Sequence, residues 1–129
     1  MIGRRRRNKI ILVIEDESIL RNLLVMTLSS EGYTVYDAAD GKEGLAHAFE
    51  FRPDMILLDI IMPEMNGVDM LKQLRRDTWG STATVVLLTN LGDNESIEKA
   101  KAYDVQDYMV KSDWSLDELA QHIKERLGQ

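Results

Sequence analysis

The chain has 129 residues, no cysteine, and 22 acidic against 16 basic side chains. That is the length of one domain, enough to bury roughly two-thirds of the unfolded surface without covalent staples, and the missing cysteines exclude a disulfide framework, thiol catalysis and thiolate metal ligation. No apolar run approaches the ~20 residues that cross a bilayer, and Ile10–Ile14 is too short for a signal sequence and runs into acids, so a cytoplasmic protein with no membrane partner is expected.

The charge is uneven. Residues 1–9 hold Arg4, Arg5, Arg6, Arg7 and Lys9 without an acid, and the rest of the chain sets 11 bases against 22 acids. Residues 1–8 therefore read as a basic, disordered arm and residues 9–128 as the folded domain. The acidic body argues against a nucleic-acid surface, which leaves the arm as the one place to meet phosphate or an acidic partner.

The periodicities alternate along the chain. Ile10 to Ile14 is a continuous apolar strand, and Ile19 to Ser30 is helical, with Leu20, Leu23, Leu24 and Leu28 on one face and Gly32 at its stop. Thr34 to Ala38 is a second strand. Asp40-Gly41-Lys42-Glu43 has capping-box spacing and starts a helix that stops near Arg52-Pro53. Met55 to Leu58 is a strand that closes on a lone carboxylate, Asp59. Asn66-Gly67 opens a helix carrying Val68, Leu71 and Leu74. Val85 to Thr89 is another buried strand, and a helix from about Asn94 to Tyr103 has a thin apolar face of Ile97, Ala100 and Tyr103. Tyr108 to Val110 is a short last strand. Ser115-Leu116-Asp117-Glu118 caps a final helix with Leu116, Leu119, Ala120, Ile123 and Leu127 inward.

Five strands in strict alternation with five helices imply an α/β fold, a doubly wound parallel sheet of the flavodoxin-like (βα)5 kind with order 2-1-3-4-5. Ligands of such sheets sit at the carboxyl edge, where the order reverses between strands 1 and 3. There the chain sets Glu15-Asp16-Glu17 after strand 1, Asp59 after strand 3, Thr89 on strand 4 and Lys111 after strand 5. Each alone is ordinary: acids suit a helix start, Thr is a β-former, and a lysine is a surface residue. Together they place several carboxylates in one crevice, which requires counter-charge. Lys111 is one source; a hard divalent cation, Mg²⁺ or Mn²⁺ rather than Zn²⁺, is the other. A carboxylate nucleophile, a metal, a cationic clamp and a hydroxyl donor are the parts of phosphoryl chemistry.

Glu15-Asp16, Asp59 with Met62-Pro63 and Asn66-Gly67, Thr89, and Tyr108 three residues before Lys111 resemble the receiver domain of two-component response regulators, over about residues 8–128. The resemblance implies a Mg²⁺-dependent phosphorylation switch rather than a conventional enzyme, one that catalyses its own phosphoryl uptake. Asp59 would accept a phosphoryl group from a sensor histidine kinase or a histidine phosphotransfer protein. Asp16, Asp59 and the backbone carbonyl of Ile61 would ligate the metal, with Glu15 reaching it through water. Lys111 and Thr89 would bind phosphoryl oxygens, and Tyr108 would turn inward as Thr89 moves, altering the face of helix 4, strand 5 and helix 5 that meets a downstream protein or a second, phosphorylated copy. Since the sequence stops soon after the last helix, a stand-alone regulator acting by protein contact is the expected type, with a relay intermediate or a fragment of a longer protein as alternatives. Three positions depart from the family pattern. Ser112 replaces the usual proline, which removes the usual reason for a cis peptide after Lys111. Asn90 replaces a small residue, and Asp104 replaces a helix-ending glycine and must tolerate a left-handed conformation. Ile61 and Leu91 flank the path of hydrolytic water and cannot orient it, so slow self-dephosphorylation is expected.

Three other readings compete. A haloacid-dehalogenase-like aspartyl-phosphate phosphatase would want an acid two residues after Asp59, where Ile61 stands. A flavodoxin-like FMN carrier would want a phosphate loop where Glu15-Asp16-Glu17 would repel phosphate. A receiver with a functional basic arm would bind nucleic acid or a kinase through it. His47 and His122 read as solvated helix positions, Trp79 as packing, Trp114 as a hydrophobic staple, and Met62, Met65 and Met70 as gap fillers, with kinase contact a lesser role for Met62 and Met65.

Overall fold

A computed structural model describes residues 8–62, 65–90, 92 and 94–128. Five strands, β1 (Ile10–Ile14), β2 (Thr34–Ala38), β3 (Met55–Asp59), β4 (Val85–Thr89) and β5 (Asp107–Val110), alternate with five helices, α1 (Ser18–Ser30), α2 (Gly41–Phe51), α3 (Gly67–Arg76), α4 (Asn94–Lys101) and α5 (Leu116–Leu127). The sheet is parallel throughout, in the order β2-β1-β3-β4-β5. This is the flavodoxin-like, doubly wound arrangement that the alternation predicts.

The inner strands are continuous apolar runs because both faces are covered: every residue of β3 and β4 is buried, whereas β5 at the edge is mostly not. Alternate strand residues feed two apolar layers. Leu12, Ile14, Ile56, Leu58, Val85 and Leu87 pack with Ala48 of α2, Leu71 of α3 and Ala100 of α4. Ile11, Val13, Leu57, Val86 and Met109 pack with Leu24 and Leu28 of α1 and with Leu119 and Ile123 of α5. Helices α1 and α5 thus cover one face and α2, α3 and α4 the other.

Caps set the helix starts. Asp40 Oδ1 accepts the Glu43 N–H at 2.8 Å, while the Glu43 carboxylate accepts from Ala39 N rather than from Asp40 N. Asn66 Oδ1 accepts the Asp69 N–H at 3.0 Å, and Ser115 with Glu118 forms the complete reciprocal box. Helix α2 ends on Arg52 in the left-handed region, with φ 45°, just before Pro53.

Two expectations need correction. Leu23 is not on the buried face of α1. It is 41% exposed and lines up with Ile19 at 77% and Met26 at 68%, an apolar stripe turned to solvent. Helix α4 ends at Lys101, two residues early, with Ile97 and Ala100 as its buried residues. Met70, read as a gap filler, is fully buried in the core on α3, as that role requires. Short 3₁₀ turns at Gly80–Thr82 and Lys111–Asp113 follow α3 and β5. The described residues contain no cis peptide.

Asp104 takes the left-handed conformation, φ 56°, without glycine. The Arg75 guanidinium holds that corner. It donates to Tyr103 O at 2.8 Å and Asp104 O at 2.7 Å after α4, and to Gly80 O at 2.8 Å and Ala83 O at 2.7 Å before β4. Among the described residues no helix is long and apolar enough to cross a membrane.

Candidate functional site

Among the described residues, the carboxyl ends of β1, β3 and β4 carry the buried polar side chains: Glu15 is 0%, Asp59 2% and Thr89 0% exposed. The chain beyond β1 is braced from both sides. Glu15 N donates to Ala38 O at 3.0 Å, and Glu17 N donates to Glu15 Oε2 at 3.0 Å. Arg21 donates to Glu15 O at 2.8 Å and pairs with Asp37 at 3.1 Å, joining the ends of β1 and β2.

Carboxylate oxygens of Glu15, Asp16 and Asp59 lie within 4.8 Å of one another. Lys111 closes the cluster, its Nζ 2.8 Å from Glu15 Oε1, 3.3 Å from Asp59 Oδ2 and 3.9 Å from Glu17 Oε1. Burial first, and then the Glu15 charge, push the Asp59 carboxyl far above the usual carboxylate range, to about 8, against the opposing pull of Lys111. Burial works against the Lys111 charge, yet Glu15 and Asp59 outweigh it and raise its pKa. One ammonium does not fully compensate the two desolvated carboxylates, Glu15 and Asp59, with Asp16 beside them. Clustered hard oxygen donors carrying more negative charge than one lysine offsets fit a divalent cation such as Mg²⁺.

The loop after Asp59 is held by backbone. Ile61 N donates to Asp59 Oδ1 at 3.3 Å, and Gly67 N donates to Ile60 O at 2.9 Å. A Cβ on Gly67 would stand 2.8 Å from Ile60 Cα and 3.1 Å from Asp59 O, so only glycine lets α3 start against this strand end. The Ile61 side chain is 48% exposed.

Four of the predicted residues, Glu15, Asp16, Asp59 and Lys111, converge. Thr89 stands one residue beyond the β-partner of Asp59, but its hydroxyl donates to Met109 O over a long 3.4 Å. Tyr108 is 46% exposed, its ring 6.0 Å from Lys101 Nζ on α4, outside the cluster. Leu91 and the arm of residues 1–7 lie outside the described residues. Arg21 and the Glu17 side chain were not singled out from sequence; the signal for Arg21 was its being the lone charge between Ser18 and Ser30. His122 is not simply solvated. Its Nε2 lies 2.7 Å from Asp107 Oδ2, which Arg126 also meets at 3.3 Å, and its ring sits 5.3 Å from that of Trp114. Burial opposes the Asp107 charge, but hydrogen bonds from His122 and the Tyr108 N–H, with Arg126, hold the carboxyl below its usual range.

The comparisons with known proteins agree on one family. The family model described as the response regulator receiver domain matches residues 11–124. The chain is 35% identical over 103 residues to the DNA-binding dual master transcriptional regulator RpaA of Synechocystis, covering 78% of this chain and 42% of that protein. It is 33% identical over 117 residues to the DNA-binding response regulator MtrA of Mycobacterium tuberculosis, covering 91% and 50%. The chain thus spans about half the length of the curated relatives it matches. Among solved structures it resembles chemotaxis protein CheY4 of Vibrio cholerae, with TM-score 0.84 and 28% identity over 92% of this chain and 98% of that one. It also resembles the receiver domain of sensor histidine kinase PA1611 of Pseudomonas aeruginosa, described with a magnesium ion coordinated in the active site cleft, with TM-score 0.82 and 26% identity over 95% and 100%. With the acidic cluster and its lysine at the carboxyl edge of a 2-1-3-4-5 sheet, the chain belongs to the response regulator receiver domain family.

Proposed function

We propose that this receiver takes a phosphoryl group onto Asp59 from a phosphohistidine of a sensor kinase or a histidine phosphotransfer protein. The observation that carries this is the near-complete burial of Asp59 beside Glu15, with Lys111 Nζ at 3.3 Å. An Asp59 oxygen attacks phosphorus in line with the departing imidazole nitrogen, and the phosphoryl group passes to the carboxylate without a conventional turnover. Asp16, Asp59 and the Ile61 carbonyl would hold Mg²⁺, with Glu15 acting through water; Mn²⁺ suits the same donors. When bound, the cation supplies charge that neutralises the phosphoryl oxygens. Lys111 leaves its shared position between Glu15 and Asp59 for a phosphoryl oxygen.

Thr89 is suited to follow, because its 3.4 Å bond to Met109 O costs little to give up. Tyr108 then takes the space that Thr89 leaves, and the α4, β5 and α5 surface changes for a downstream protein or a second copy. Helix α4, with Ile97 and Ala100 as its buried residues, suits an element that must shift. Ile61 and Leu91 offer hydrolytic water no polar guide, so the phosphoryl group persists. The phosphodonor rests on the exposed stripe Ile19, Leu23 and Met26 of α1, the helix that starts beside the cluster. Such a protein works in the cytoplasm, where kinases meet phosphoacceptors. In a longer protein built like the DNA-binding relatives, the same switch would govern a second domain.

Intact mass after acetyl phosphate and Mg²⁺ tests the reading. Wild type gains one phosphoryl group and Asp59→Asn gains none; adducts on both proteins place the acceptor elsewhere.

A further inference from the structure

We infer that Glu17 is a selectivity residue that biases phosphorylation away from small, free phosphodonors and toward protein-borne phosphohistidine. The inference rests on Asp59 being the phosphoacceptor. Glu17 is the N-cap residue of α1, yet its side chain makes no capping bond, so it is not there to start the helix. Its carboxylate is 67% exposed, and Oε1 lies 3.9 Å from Lys111 Nζ, the same ammonium that meets Asp59 at 3.3 Å. A fixed negative charge therefore stands at the mouth of the site, on the same ammonium that meets Asp59, and it competes for that lysine. No other acid lies on α1 between Glu17 and Glu31, and Arg21 is committed to Asp37 and the Glu15 carbonyl, so nothing on that helix offsets it.

The physical consequence depends on donor charge. Acetyl phosphate approaches as a dianion: the Asp59 carboxylate oxygen bonds to phosphorus, the bond from phosphorus to the acetyl oxygen breaks, and acetate leaves with the electron pair. Glu17 repels that dianion throughout its approach. A phosphohistidine carries a similar charge, but contact along α1 offsets the repulsion for a protein and for nothing smaller. At this range and in water-like surroundings one unit charge changes a dianion's rate by about threefold to tenfold, and a singly charged donor's by about the square root of that.

The test compares acetyl phosphate, net −2, with phosphoramidate, net −1, as donors to wild type, Glu17→Gln and Glu17→Asp at saturating Mg²⁺ and low salt. Glu17→Gln takes acetyl phosphate about threefold to tenfold faster, its acetyl phosphate to phosphoramidate ratio rises about twofold to threefold, and both gains shrink in high salt. Glu17→Asp, keeping the charge, stays near wild type. Calorimetry on the resting chain finds Mg²⁺ bound about twofold to fivefold more weakly by Glu17→Gln, since one carboxylate fewer faces the ion. A donor ratio equal in wild type and Glu17→Gln, or an unchanged Mg²⁺ affinity, overturns the inference while leaving Asp59 as acceptor. Wild type that gains no mass from either donor overturns both.

Discussion

Replacing Asp59 with asparagine should make the metal-free protein more stable, although it removes the residue on which the proposed function depends. The side chain is 2% exposed, beside Glu15, and its carboxyl titrates near 8 instead of 3.8. The folded state therefore holds a proton that the unfolded chain has already lost. Between those two values the unfolded state binds fewer protons, so the stability from this group is fully present below about pH 4 and drains away as pH rises toward 8. At 1.36 kcal/mol per unit, four units correspond to nearly 6 kcal/mol at the upper end. The exposed Ile61 and Glu17 leave the mouth open to water, and Lys111 partly compensates, so roughly a third of that, about 2 kcal/mol, is expected to survive as a measurable difference. For a domain of this size that is about 6–10 °C in Tm. Thermal unfolding by circular dichroism, in EDTA at pH 5 and pH 8, reads it directly: the Asp59→Asn advantage is small at pH 5 and grows to pH 8. Adding Mg²⁺ at pH 8 stabilises wild type and narrows the gap, because the ion binds the folded carboxylates. If Asp59→Asn is no more stable than wild type at pH 8 without metal, burial without sufficient counter-charge is the wrong description of this site.

Three further outcomes concern α1, Arg75 and the apolar residues flanking the acceptor. Leu23→Gln with Met26→Gln should slow transfer from a cognate phosphodonor protein by about tenfold or more, since two apolar contacts are lost, and leave the acetyl phosphate rate within about twofold; equal slowing of both donors refutes docking on α1. Arg75→Met should cost about 2–3 kcal/mol in chemical unfolding by removing the guanidinium from four carbonyls, and should speed amide exchange in α4 more than in α1; Arg75→Lys should not restore it, because one ammonium cannot span those acceptors. Purified phosphorylated protein in Mg²⁺ buffer should keep its phosphoryl group for minutes or longer by mass; loss within seconds contradicts the role given to Ile61 and Leu91.

The strands were legible because burial on both faces writes itself as an unbroken apolar run, as in Met55 to Leu58 and Val85 to Leu88. Alternation then fixed the strand order, and the order brought Glu15, Asp16, Asp59 and Lys111 to one crevice. What escaped was side-chain direction and anything bonded to backbone. On α1, Leu20, Leu24 and Leu28 follow a four-residue step toward the sheet, while Ile19, Leu23 and Met26 follow a neighbouring row; a helical wheel merges two such rows into one broad face. Arg75 satisfies carbonyls 5 to 29 residues away, and no side-chain pattern announces a carbonyl acceptor. His122 meets Asp107 across two elements, a pairing that exists only once β5 and α5 are packed.

The close glycine contacts give the domain a mechanical asymmetry. On the flank of α2 and α3 the approach is close: a side chain on Gly67 would strike the Ile60 backbone, one on Gly41 the Met65 carbonyl, and one on Gly44 the Ile14 side chain. That side has no slack to absorb displacement. Farther along the same face α4 is anchored by Ile97 and Ala100, with the Arg75 clasp at its far end. Bulk or charge added at Asp59 therefore presses against an anvil on one side and a hinged plate on the other. The work of a reaction that moves only a few atoms is delivered in one direction, along a path set by where the chain can afford no side chain at all.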